Sequence, residues 1–141
     1  MTQEEKQLLL KDLCARLPYE VKGLHRGEIQ RLLIMDSFGS YQVNGYDAWF
    51  NLNSVDFKPY LRPIDSMTDD EINELDEVCD GIFNIYDTNI EVLSILEWED
   101  SFENILKGND WLNAHHFDYR GLIPMGLALE AKEGMYGKES V

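Results

Sequence analysis

The segment Lys58-Pro59-Tyr60-Leu61-Arg62-Pro63 sets two prolines close together near the middle of the chain. Each proline lacks an amide donor and restricts both its own φ and the residue before it. The segment is therefore expected to be neither helix interior nor central strand, but an extended connector. It separates two textures: short apolar runs with turn signals before it, helical periodicity after it. At 141 residues the chain suits one domain, and it should bury roughly two-thirds of its unfolded surface without a metal or disulfide staple.

Ahead of the break, 2–17 reads as a helix. Thr2 and Glu5 have the reciprocal spacing of a capping box. Leu9, Leu10, Leu13, Cys14 and Leu17 recur as an apolar stripe, and Pro18 stops the pattern. Glu4, Glu5, Lys11 and Asp12 put charge through this stretch, so it does not read as a signal peptide. From 19 to 55, runs such as 28–36 and 48–52 are punctuated by Gly39-Ser40 and Asn44-Gly45. Asn-Gly accepts positive φ at both turn positions and predicts a tight hairpin there. Three or four antiparallel strands are expected.

Past the break, Thr68 and Glu71 repeat the capping-box spacing, and Asp69 and Asp70 suit the positive end of a helix over 68–82. Its buried stripe is Ile72, Leu75, Cys79 and Ile82; Asn73, Glu74, Asp76, Glu77 and Asp80 make an acidic outer face, and Gly81 loosens the last turn. Ile, Val and Trp content favours a strand over 90–98, and 101–106 reads as a short helix. Asn109 or Asp110 then caps a helix through Trp111, Leu112 and His115. Asp118 caps a further turn through Leu122, which Pro124 ends. Residues 132–141, rich in Gly and charge, are expected to fray.

Charge is the second constraint. Its 12 Lys and Arg against 27 Asp and Glu give a formal net of −15, which argues against direct binding to nucleic acid or an anionic membrane. No apolar run approaches the ~20 residues of a membrane span. Cys14 and Cys79 make neither a disulfide scaffold nor a zinc pair, so a reducing, cytoplasmic setting is expected. The charge is also uneven. Residues 1–63 hold 8 acids and 8 bases, whereas 64–141 hold 19 acids and 4 bases. Between Arg62 and Lys107 there is no base, and 14 acids occur from Asp65 to Glu103. Such a layout predicts two surfaces of different character.

Candidate reactive groups are few. Adjacent on a helix, His115 and His116 point about 100° apart and share a metal only if another element adds ligands, His25 and Asp118 being the available extras. Helical zinc histidines stand four apart with a glutamate, so no metal is expected, and one packed, hydrogen-bonded imidazole is the favoured role. Both cysteines sit on proposed apolar stripes, where burial raises a thiol's pKa rather than activating it. The chain has no Gly-x-Ser-x-Gly elbow, and Gly134 and Gly137 lack the context of a phosphate loop. Asp76, Asp80, Gly81 and Asp87 match calcium-loop spacing, but Val78 offers no oxygen where one is required, so that reading fails. Lys58, Tyr60 and Arg62 form a basic-aromatic patch more simply paired with the domain's own acids than with a phosphate. No cofactor is expected.

Three stretches carry a resemblance: Leu13-Cys-Ala-Arg-Leu-Pro-Tyr19; Lys58-Pro-Tyr-Leu-Arg-Pro63 with Ser66-Met-Thr-Asp-Asp-Glu71; and 110–136, DWLNAHHFDYRGLIPMGLALEAKEGMY. Together they resemble a group of small uncharacterised proteins of Bacteroides-type gut bacteria and their phages and mobile elements. HHFDYRGLIP is the most specific part, while 72–108 falls outside it. The resemblance implies a bacterial or phage accessory protein and gives no residue a role.

These readings predict an α+β fold: a small antiparallel sheet from 19–55 packed against two main helices, with a short helical C-terminal region. HHFDYRGLIP is expected to close one edge of the core, with Trp111, Phe117, Leu122 and Leu127 buried in this region. A single domain over 1–131 is expected. The favoured function is a non-enzymatic interaction protein binding a basic protein through 65–103. Asp69, Asp70, Glu74, Glu77, Asp80 and Glu99 supply the negative field, and Trp98 an aromatic anchor. One competing class is an enzyme, or a small-ligand or metal protein, using His115, His116, Asp118 and Arg120 around a pocket. Another is a phage or mobile-element structural accessory acting as an oligomer.

Overall fold

A computed structural model describes residues 2–52, 57–81, 83–85, 90–92 and 98–136. The chain is an α+β protein of two compact units, one formed by Met1–Leu61 with Arg120–Val141, the other by Arg62–Tyr119.

In the first unit, the Glu5 amide donates to the Thr2 hydroxyl at 3.1 Å and the Thr2 amide donates to the Glu5 carboxylate at 2.8 Å. This is the expected capping box, and it opens α1 (Gln3–Arg16). Four antiparallel strands follow, as the 19–55 texture predicts: β1 (Lys22–His25), β2 (Glu28–Met35), β3 (Ser40–Val43) and β4 (Phe50–Asn51). The tight hairpin lies elsewhere than expected. Arg26 and Gly27, with φ of +51° and +81°, join His25 to its partner Glu28, whereas Asn44-Gly45 opens a longer connection from β3 to β4. An arginine at positive φ carries no turn signal of the Asn-Gly kind.

The proline segment corrects the connector reading. Phe57–Leu61 is β5, and it lies within the sheet, whose order is β4-β3-β2-β1-β5-β8 with β8 at Leu129–Glu130. Pro59 is accommodated because β8 is only two residues long and pairs with Tyr60 and Leu61, beyond the proline. That pairing is parallel, so the sheet is mixed rather than purely antiparallel. Leu13, Val21, Leu32, Tyr41 and Phe57 build the core of this unit, joined by Leu122 and Leu127 as expected. The stripe of α1 also differs: Cys14 is exposed, and Asp12 and Arg16 are buried.

After Arg120 the chain makes turns, with Gly121 and Gly126 both at φ +76°, instead of the helical turn expected from Asp118 to Leu122. The tail expected to fray is held as far as Tyr136. The Tyr136 hydroxyl donates to the Tyr60 carbonyl at 2.6 Å, and the Lys22 ammonium donates to the Met135 carbonyl at 2.7 Å.

In the second unit, Thr68 and Glu71 close the capping box of α2 (Asp69–Val78). This helix stops at Val78 rather than 82, because Asp80 and Gly81 turn left-handed at φ +54° and +72°. β6 (Phe83–Ile85) pairs antiparallel with β7 (Ile90–Val92), so the 90–98 strand ends early. α3 (Trp98–Ala114) then runs unbroken through Asn109 and Asp110, which were expected to cap a separate helix. Gly108, Asn109 and Asp110 weaken a helix by about 1 kcal/mol or less each. Trp111 and Leu112, packed with Leu75 and Cys79 in the second core, outweigh that. His116, at φ +63°, reverses the chain so that Phe117 bridges Arg62. The Arg62 amide donates to the His116 carbonyl at 2.7 Å, and the Asp118 amide to the Arg62 carbonyl at 2.8 Å.

Candidate functional site

Leu75 and Cys79 bury one side of the α2 segment, which turns Asp69, Asp70, Glu74 and Glu77 outward, all exposed; Asp80 follows, also exposed, in the left-handed turn. The charge divides at the unit boundary. Residues 62–119 carry 2 bases and 16 acids, a net of −14; the remainder carries 10 bases and 11 acids, a net of −1. Of the two bases in the second unit, Arg62 binds Glu71 through two hydrogen bonds of 2.7 and 2.8 Å and lies 4.2 Å over the Phe117 ring. Lys107 pairs with Glu103 at 3.4 Å on the surface. Burial pushes the Glu71 carboxyl upward, but hydrogen bonds from Arg62 and Thr68 and the Arg62 charge hold it below the usual 4.5. Among the described residues, Asp69, Asp70 and Glu77 pair with no cation.

Glu74 behaves differently. Its carboxylate accepts from Trp111 Nε1 at 2.9 Å and lies 3.9 Å from His115 Nε2. The His115 ring stacks on Trp111 at 3.9 Å between centroids, and Nδ1 donates to the Trp111 carbonyl at 2.8 Å. That carbonyl can only accept, so it fixes the proton on Nδ1. A residue of the expected acidic surface thus joins one of the expected ligand pocket, across the contact of α2 with α3.

The other residues of that expected pocket fall in different units. Arg120 belongs to the first unit, where its guanidinium donates to Asp12 at 2.7 Å. Arg16 Nε donates to the other Asp12 oxygen at 2.9 Å. His116 and Asp118 are buried in the second unit beside the Arg62 backbone. His25 is buried in the first, its Nδ1 3.1 Å from the Tyr41 hydroxyl and its ring 4.5 Å from Phe50. Among the described residues no group of three His, Cys, Asp or Glu is placed to hold a metal. Arg62 pairs with the domain's own Glu71, as read from the sequence. Trp98 and Glu99 lie in the first turn of α3; their side chains are outside the described residues.

Set against family models, curated proteins and solved structures, the chain matches none. Among the described residues no helix is long and apolar enough to cross a membrane.

Two features escaped the sequence reading. One is the buried carboxylate between two arginines: the spacing of Asp12 and Arg16 is visible, but Arg120 lies 108 positions away. The other is the face of the sheet that carries Ile29 and Leu33, both more than two-fifths exposed. Only strand register reveals it.

Proposed function

We propose that the chain is a non-enzymatic binding protein whose second unit engages a basic protein through the outward acids of α2. The observation supporting this is the division of charge, −14 on 62–119 against −1 elsewhere. A field of one sign on a compact body accelerates encounter with a cationic partner and disfavours anionic ones. Packing against α3 holds the acids on a rigid element, so little side-chain-bearing backbone has to be ordered on binding. The setting we propose is a bacterial or phage-infected cytoplasm, with the protein as an accessory component.

The test is affinity capture from the native cell with the wild type and with a variant carrying Asp69→Lys, Asp70→Lys and Glu77→Lys. Glu74 is left in place because it accepts from Trp111. The wild type is expected to retain a basic protein that the variant loses, with capture weakened near 0.5 M salt, where the Debye length is about 4 Å. Recovery of the same partner by a folded variant overturns the reading.

A further inference from the structure

The pairings Lys22↔Arg31, Leu24↔Ile29 and Leu24↔Lys58 place these residues on one face of the sheet, because directly opposed residues share a face. Leu33 falls at the β-bulge between Leu32 and Ile34 and is exposed where Leu32 is buried, so it turns outward as Ile29 and Arg31 do. The opposite face holds Val21, His25, Leu32 and Phe57, all buried. The outward face therefore alternates aliphatic and cationic groups, with Ile29 44% and Leu33 42% exposed. At one end the C-terminal turn raises a wall over it. Lys22, Ile29, Arg31, Lys132, Glu133 and Met135 line a groove of about 460 Å³. The Lys22 ammonium is fixed there by the Met135 carbonyl, and Arg31 is exposed with no carboxylate partner among the described residues.

We infer that this groove and the face leading into it dock an acidic, amphipathic peptide segment of another protein. The occupant's chemistry follows from the surface. An aliphatic floor calls for apolar side chains, and Lys22, Arg31 and Lys132 call for carboxylates between them. Nucleic acid fits less well: the floor is aliphatic at Leu24, Ile29 and Leu33, the Tyr60 ring is buried, the Tyr136 ring lies under the Lys22 ammonium, and the chain's net charge is −15. This site lies in the first unit and the α2 surface in the second. Together the two would make the chain an adaptor with an acidic-partner face and a basic-partner face.

The test uses a fluorescein-labelled peptide alternating Glu and Leu, its Gln-for-Glu counterpart and a single-stranded oligonucleotide, each titrated by anisotropy against the full chain. The Glu peptide is expected to bind about tenfold more tightly than the Gln peptide. Arg31→Glu and Ile29→Ser, each far from α2 in sequence and on an exposed site, are each expected to weaken it about fivefold or more with an unchanged circular dichroism spectrum and melting temperature. Equal binding of the Glu and Gln peptides, tighter binding of the oligonucleotide, or indifference to both substitutions overturns the inference. So does concentration-dependent self-association that Arg31→Glu abolishes, which would assign the face to a second copy of the chain.

Discussion

Asp12 accepts from Arg16 and Arg120 through its two oxygens, and neither Asp12 nor Arg16 reaches solvent. Removing the carboxylate takes away the negative charge that both guanidinium groups donate to. Asp12→Asn should therefore cost about 3 kcal/mol or more, read as a lowered urea midpoint. From sequence alone Asp12 and Arg16 looked like interruptions of a leucine stripe, because the residue that justifies their burial comes from the far end of the chain. His25 gives a pH prediction. Desolvation, with the neighbouring Arg26 charge, lowers its pKa below the ordinary 6.5, partly opposed by Glu28. The unfolded chain thus takes up this proton first as pH falls. Stability should be full above about 6.5 and decline through that value towards the lower folded pKa. His25→Gln should flatten this part of a urea-midpoint profile between pH 8 and 5. Glu71 acts separately, its contribution present above 4.5 and lost as pH falls through its depressed folded pKa.

Among the elements, β1 turns on Gly23. A Cβ there would meet Phe57 Cζ at 2.3 Å and the Lys58 carbonyl oxygen at 2.8 Å. Gly23→Ala should cost about 2 kcal/mol or more in denaturant unfolding. Adding Phe57→Leu should recover only part, because the carbonyl contact persists. Helix starts were legible in the sequence, since a capping box is written within four residues: Thr2 with Glu5, Thr68 with Glu71. Thr68→Ala is expected to cost about 1 kcal/mol of thermal stability. The hairpin at Arg26-Gly27, the burial of Pro59 in a strand and the parallel β8 were not legible. The hairpin was hidden because an arginine takes positive φ there without the usual turn signal; the other two depend on partner strands distant in sequence, which local propensity does not encode. The run of α3 through Asn109 and Asp110 failed for the same reason: packing with Leu75 and Cys79 overrides weak helix formers.

At the scale of the molecule, the uneven charge seen in the sequence persists in the structure, and its boundary coincides with that between the units. Like charges confined to Arg62–Tyr119 repel one another, and salt screens that repulsion. The melting temperature should rise as NaCl increases from about 10 mM to 150 mM, and Asp69→Lys with Asp70→Lys should shrink the rise. An unchanged melting temperature across that range would contradict a self-repelling second unit. The candidate acids of α2 were readable because exposure follows helical periodicity, but Glu74's bond to Trp111 was not.

Arg62, where the second unit begins, is clasped by two backbone hydrogen bonds to His116 and Asp118, near its end. Ends pinned to each other by main-chain bonds are the kind that circular permutation and segment exchange tolerate.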